Sequence, residues 1–249
     1  MSIPVTRVFD KFDRLMAQKD FAAAEQHLLY WLREAGAQND RRIKLSILNE
    51  LVGFYRKTDS RENGLPVIET ALELAGEPEL AGSVTRATTL INAATAYKAF
   101  GDAGAALPLY EQAREIYELQ LSPEDGRLGA LYNNMALTVM ETGRFREAEE
   151  LFRKALEVME KVPHGEANMA ITLCNLADLT AAETGTEDGE QRIGEVLDRA
   201  YILLDTPDLP RDSYYAFVCE KCAPTFGYYG FFMAKQELLR RSEEIYERT

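Results

Sequence analysis

A period of 42 residues constrains this chain more than any other feature. Ala71, Ala113 and Ala155 are spaced by it, as are Gly64, Ala106 and Ala148, and Ile68, Tyr110 and Phe152. Tyr55 and Tyr97 keep the same interval, with Val139 next, and Gly101, Gly143 and Gly185 form a further series. Small slips carry the pattern outward. Ala24, Leu28 and Trp31 precede Gly64, Ile68 and Ala71 by 40 residues. An insertion at residues 186–189 moves the next set to Ile193, Leu197 and Ala200, and 42 more residues reach Lys235, Leu239 and Ser242. Self-similarity at a period of this length marks a repeat architecture. Six units, near 5–38, 44–76, 84–121, 127–162, 168–206 and 212–249, take up the 249 residues as one array without a conventional domain boundary.

Each unit reads as two helices. Ala106, Tyr110, Ala113 and Tyr117 share one face at i, i+4, i+7 and i+11. Turn signals fall inside units at Thr58-Asp59-Ser60, Gly101-Asp102, Thr142-Gly143 and Thr184-Gly185; Pro78, Pro123, Pro163, Pro207 and Pro210 separate units. No stretch alternates as a strand, so the fold class is all-α. Small residues recur where helices must approach to about 8–10 Å, and large ones such as Tyr97 and Tyr110 fill the spaces between hairpins. One hairpin cannot bury its apolar face alone, so the units stack into an α-solenoid of about six antiparallel helix pairs.

Composition removes several functions. The net charge is -13, from 28 Lys+Arg against 41 Asp+Glu, and such a balance repels a phosphate backbone, so no nucleic-acid partner is expected. No apolar run is long enough to span a membrane, and the charged opening MSIPVTRVFDKFDRLM does not read as a signal peptide. Three cysteines cannot build a disulfide framework. A cytoplasmic protein without membrane contact is the expectation. There is no phosphate-binding glycine loop, HExxH or GxSxG, and two histidines leave few bases for a catalytic triad. Neither an enzyme nor a cofactor is expected.

The residues Ala106/Tyr110/Ala113 and Ala148/Phe152/Ala155, preceded by Gly101 and Gly143, form an Ala-x3-[Tyr/Phe]-x2-Ala core. In these, and across residues 131–161, the chain resembles the tetratricopeptide repeat family. Its 42-residue unit exceeds the family's usual 34 and is similar to the long repeats of kinesin light chains and Pins-type polarity scaffolds. The resemblance implies a right-handed superhelix whose first helices line a concave groove for a peptide or a partner protein, without catalysis.

One feature of the first helices repeats: Asn49, Asn92, Asn134 and Asn175. Asparagine is a poor helix former, so recurrence in mid-helix needs a reason. A carboxamide can donate to and accept from a peptide backbone without reading its sequence, and in the resembling scaffolds asparagines here form a ladder along an extended peptide. The competing reading is that these side chains only orient the stack. Asn49 is one residue out of the best register, which gives Glu50 the matching position. Thr88, Thr95 and Ala99 share the face of Asn92; Ala130, Leu137 and Glu141 share that of Asn134. Arg56, Lys57 and Lys98 stand near first-helix ends, where they can attract an acidic ligand group or simply complement the helix dipole. The candidate contact residues are therefore Asn49, Asn92, Asn134, Asn175, Arg56 and Lys98.

The last unit is aromatic: Tyr214, Tyr215, Phe217, Phe226, Tyr228, Tyr229, Phe231 and Phe232 crowd into 19 residues. They suit a cap on the array or a homodimer surface. Pro224 predicts a kink or break within them, loosened further by Gly227 and Gly230. Cys219 and Cys222 form a CxxC without a second pair or a nearby His, and two cysteines at i, i+3 of a helix read as small buried residues. The expected function is a protein-interaction scaffold. Two alternatives are a ligand-switched peptide receptor and a structural homo-oligomer assembled through the aromatic unit.

Overall fold

The computed structural model describes residues 3–248. Among them stand twelve α-helices, one 3-10 turn at Pro78–Leu80 and no strand. The helices group into two compact units, one ending at Gln120 and the other beginning at Leu121. The first holds α1 (Val5–Ala17) with α2 (Phe21–Ala37), α3 (Arg41–Lys57) with α4 (Arg61–Ala75), and α5 (Val84–Ala99) with α6 (Ala103–Gln120). The second holds α7 (Gly126–Glu141) with α8 (Phe145–Met159), α9 (Glu166–Thr184) with α10 (Glu190–Leu204), and α11 (Ser213–Tyr228) with α12 (Phe232–Tyr246). Pair mates pack on each other, and within each unit neighbouring first helices also touch: α3 with α5, α7 with α9, and α9 with α11.

The turns inside pairs share a residue of positive φ, and all but the longer α9–α10 turn, where Gly185 has ψ 160°, reverse the chain in the same way. Each contains a residue in the left-handed region: Lys19 (φ 58°), Asp59 (51°), Gly101 (80°), Gly143 (78°), Gly185 (86°) and Gly230 (86°). The following N–H reaches five residues back, from Asp20 to Leu15 (3.0 Å), Ser60 to Tyr55 (2.9 Å), Asp102 to Tyr97 (2.9 Å) and Phe231 to Phe226 (2.8 Å). That bond satisfies a carbonyl at the helix end. Asp20 and Asp102 then cap the next helix by accepting from the N–H of Ala23 (3.1 Å) and Ala105 (2.9 Å). So short a reversal leaves the second helix no course but back along the first. Gly101→Ala should therefore lower stability by about 1 kcal/mol, the left-handed penalty less the gain from a stiffer unfolded chain. Lys19→Gly should shift the urea midpoint in the opposite direction.

The periodic positions are the core. Ala24, Ile68, Ala71, Ala106, Tyr110, Ala113, Ala148, Phe152, Ala155, Leu197 and Ala200 are all fully buried. Gly64 takes the slot that alanine fills elsewhere, because a Cβ there would lie 2.9 Å from the Phe100 ring. Tyr110 is the largest side chain in the series with a polar end, and its hydroxyl pairs with Thr95 Oγ1 at 3.0 Å.

The break expected at Pro224 does not occur. Helix α11 runs from Ser213 to Tyr228 with Pro224 inside it, as α4 carries Pro66 and α6 carries Pro108. A proline removes one helical N–H and crowds the preceding turn. In α11 the buried Cys222, Ala223 and Phe226 on either side anchor the helix against its neighbours, and this packing outweighs the local defect. Gly227 lies within the helix too; the reversal comes at Gly230.

Candidate functional site

The asparagines of the first helices lie at seams between those helices. Asn92 Nδ2 donates to Asn49 Oδ1 (3.1 Å), and Asn49 Nδ2 donates to Thr89 Oγ1 (3.0 Å), joining α3 to α5. In the second unit Asn175 Nδ2 donates to Oδ1 of Asn133 (2.9 Å), which also accepts from Thr172 Oγ1 (3.1 Å), joining α7 to α9. The two seams are copies of one arrangement: an asparagine meets the Thr-x2-Asn of the next first helix. Its near member is Asn49 in one unit and Asn133 in the other, each one residue ahead of the series position held by Glu50 and Asn134. The offset of Asn49 is thus common to both seams. Asn134 itself is half-buried, and its carboxamide has no hydrogen-bonding partner among the described residues.

The same geometry continues into α11 with different chemistry. Cys174 precedes Asn175 as Asn133 precedes Asn134, and Cys219-x2-Cys222 stands where Thr172-x2-Asn175 stands one pair earlier. All three cysteines are buried and unpaired. Cys222 beside it, together with burial, pushes the Cys174 thiol well above its ordinary range, and burial pushes Cys219 up to about 11. Thiols held protonated in this way are packing groups rather than nucleophiles. Sequence spacing separates Cys174 from the other two; only the packing of α9 on α11 brings it to Cys222.

Toward their C-terminal ends the first helices open clefts. In the first unit a cavity of about 540 Å³ is lined by Phe12, Asp13 and Met16 of α1, by Glu50, Gly53 and Lys57 along α3 with Phe54 and Arg56 beside them, and by Ala99 of α5. Burial, and then the charge of Asp13, raises the Glu50 carboxyl above its usual value. In the second unit a cavity of about 560 Å³ lies between Asp178, Ala181 and Ala182 of α9 and Pro224, Thr225 and Tyr228 of α11, with Thr186 and Tyr229 at its edge. Burial raises the Asp178 carboxyl, opposed by the Tyr229 hydroxyl, which donates to it at 3.0 Å. The two clefts use equivalent positions: Gly53 and Lys57 follow Glu50 by three and seven residues, Ala99 follows Asn92 by seven, and Asp178 and Ala182 follow Asn175 by three and seven.

The remaining expected contact residues divide. Arg56 lines the first cleft, whereas Lys98, half-buried one residue before Ala99, does not. Thr88 and Thr95, on the face of Asn92, pair with Tyr117 and Tyr110 of α6 at 3.0 Å each, so their hydroxyls serve the helix pair. Of the C-terminal aromatics, Tyr215 and Phe226 are core; Tyr214, Phe217, Tyr228 and Phe232 are exposed. Asn133, Asp178 and Tyr229 were not singled out by periodicity. The one-residue offset of Asn49 from the series is the signal by which Asn133 could have been found.

The tetratricopeptide repeat pattern matches residues 44–118 and 127–186, more than half of the chain. No curated protein matches the sequence significantly. Among solved structures, a Podosopora anserina putative kinesin light chain with nearly identical TPR-like repeats superposes with a TM-score of 0.58 at 19% identity, over 82% of this chain and 96% of that one. BtubC (BKLC) from P. vanneervenii superposes with a TM-score of 0.62 at 17% identity, over 93% of this chain and 91% of that one. At these identities the likeness is one of fold. No described helix is long and apolar enough to cross a membrane.

Proposed function

The chain belongs to the tetratricopeptide repeat family, a family of protein–protein interaction scaffolds, and from that premise we propose that it holds an extended segment of a partner protein against its first helices, without catalysing a reaction. The observation that carries this reading is the recurrence of a cleft at equivalent first-helix positions in each unit. Asn92 and Asn175 each spend one N–H on the seam and keep the other N–H and the carbonyl oxygen for a backbone. Asn134 keeps its whole carboxamide, Arg56 supplies a cation at the first cleft, and Asn49 contributes by fixing Asn92. Lys98 extends the basic character of the α5 end. A cytoplasmic setting belongs to the same proposal and rests on three unpaired cysteines, which a reducing compartment keeps as thiols.

The asparagines provide the test, because their roles separate. Asn134→Ala should weaken binding of a partner segment, identified by affinity capture and peptide mapping, by about tenfold while leaving the urea midpoint unchanged. Asn92→Ala should lower stability by about 1 kcal/mol as well, since it also breaks the seam to Asn49. Partner binding indifferent to Asn134→Ala and Arg56→Ala would move the contact surface away from the first helices. Self-association through the last pair is a second reading, favoured by the exposed Tyr214, Phe217 and Phe232. Sedimentation of the full chain with and without Phe232→Ser decides it.

A further inference from the structure

A third cavity, of about 710 Å³, adjoins the cleft of the second unit, sharing Thr186, Tyr228 and Tyr229 with it, and lies between α10 and the turn that joins α11 to α12. Tyr228, Tyr229 and Phe231 form one wall, and Glu187, Glu190, Glu195 and Asp198 line the other; no Lys or Arg borders it. Tyr229 is held edge-on to Tyr228, with ring centroids 4.9 Å apart, and its hydroxyl is committed to Asp178. Tyr228, at 77% exposure, presents an uncovered ring. None of the four carboxylates is in an ion pair with a described residue; Glu195 accepts only from Gln191, at 2.9 Å. Glu190 lies in the first turn of α10, where the helix dipole favours an anion. Glu195 and Asp198, beyond that turn, have no such reason to be acidic.

Gly194 is an independent sign that something enters here. It sits inside α10 between Glu190 and Asp198, where glycine costs about 1 kcal/mol relative to alanine. Packing does not demand it, because a Cβ would meet nothing nearer than the Phe231 ring at 4.0 Å. The missing side chain keeps the cavity floor open. Aromatic faces opposite unpaired carboxylates form the environment that attracts an organic cation, through the ring quadrupole on one side and charge on the other.

We propose that the cleft between α10 and the turn at residues 228–231 binds a lysine or arginine side chain carried by a segment of a partner protein. The proposal rests on the scaffold reading above and adds a preference for basic sequence on the α10 side of the second-unit cleft, beyond the Tyr228 and Tyr229 that the two cavities share. The chain's charge of -13 also draws such a segment toward the molecule before contact.

The probe is a short peptide of alternating lysine and alanine, with its glutamate–alanine counterpart as control, titrated into the ¹⁵N-labelled full-length chain. The lysine peptide should shift the amides of Gly194 and Gly230 and the glutamate peptide should not. Glu187→Gln/Glu195→Gln/Asp198→Asn should weaken binding by about tenfold. Gly194→Leu, which fills the cleft while removing a helical glycine, should abolish the shift at Gly230 without lowering the melting temperature. Binding that survives Gly194→Leu, or shifts spread over the acidic surface, would reduce the effect to bulk charge and overturn the proposal. If Gly194 and Gly230 stay silent while a partner segment still requires Asn134, the acidic cleft fails as a site for basic side chains and the scaffold reading stands.

Discussion

Replacing Phe152 by alanine should cost the second unit about 3–5 kcal/mol, the usual penalty for emptying a fully buried aromatic site. Phe152 has no exposed surface and lies on α8 between Ala148 and Ala155, two alanines as buried as itself. Those alanines let α8 approach α7 and α9 closely, so the surrounding helices have little freedom to collapse into the void. Whole domains are stable by only about 5–15 kcal/mol, so one side chain commands a large share. In repeat arrays the contacts are between neighbours, and the loss of amide protection should concentrate in α7, α8 and α9. A drop below about 1 kcal/mol in urea unfolding would mean that the site repacks, contrary to its burial.

Arg241→Ala should cost about 2–4 kcal/mol, less than a wholly buried ion pair because Asp205 is half-exposed. The guanidinium ties three helices together. It meets Asp205 at the end of α10 (2.7 Å), donates to the hydroxyl of Tyr215 on α11 (3.1 Å), and donates from Nε to the carboxylate of Glu237 one turn back on α12 (2.8 Å). It also lies over the Tyr201 ring at 5.3 Å. Removing it leaves Tyr215, whose hydroxyl donates to the Leu204 carbonyl at 3.0 Å, without its donor. Arg241→Lys should recover the charge but not the fork of bonds, and so only part of the loss. Hydrogen bonds from Arg240 and then Arg241 hold the Glu237 carboxyl at about 2, against an ordinary 4.5. A carboxyl lowered on folding stabilises above its unfolded value and loses that contribution as the pH falls toward the folded one. Acid unfolding between about pH 4.5 and 2 should therefore be shallower in Arg241→Ala than in the natural chain.

The fold was legible because its determinants are local and repeated. Gly101, Gly143 and Gly185 announced the left-handed reversals, and the Ala106/Tyr110/Ala113 spacing announced one face of α6. Lys19 and Asp59 hold the same backbone position without glycine, so the first two turns carry a weaker signal than the later ones. Pro224 misled, since a local rule about one hydrogen bond competes with the burial of Cys222, Ala223 and Phe226 around it. The candidate site was legible only in part. Periodicity identified the helices that bear Asn49, Asn92 and Asn175; of the neighbours expected on the faces of Asn92 and Asn134, Ala99 lines a cleft, whereas Thr95 pairs with Tyr110. It did not identify Asn133, and it gave no reason to bring Cys174 to Cys222.

By itself the sequence determined the 42-residue unit, its two helices, their reversals and the residues that face inward, because each follows from helical spacing and turn chemistry within a few tens of residues. The tertiary structure decided how one helix is set against the next. Helices pack at an angle and interdigitate, so the residue that meets Asn92 or Asn175 stands one position ahead of the sequence register. That offset hands the seam to Asn49 and Asn133 and leaves the carboxamide of Asn134 unbonded. The cleft beside Gly194 has the same origin: its carboxylates and its aromatic rings come from elements that share no periodic relation, and only packing sets them face to face.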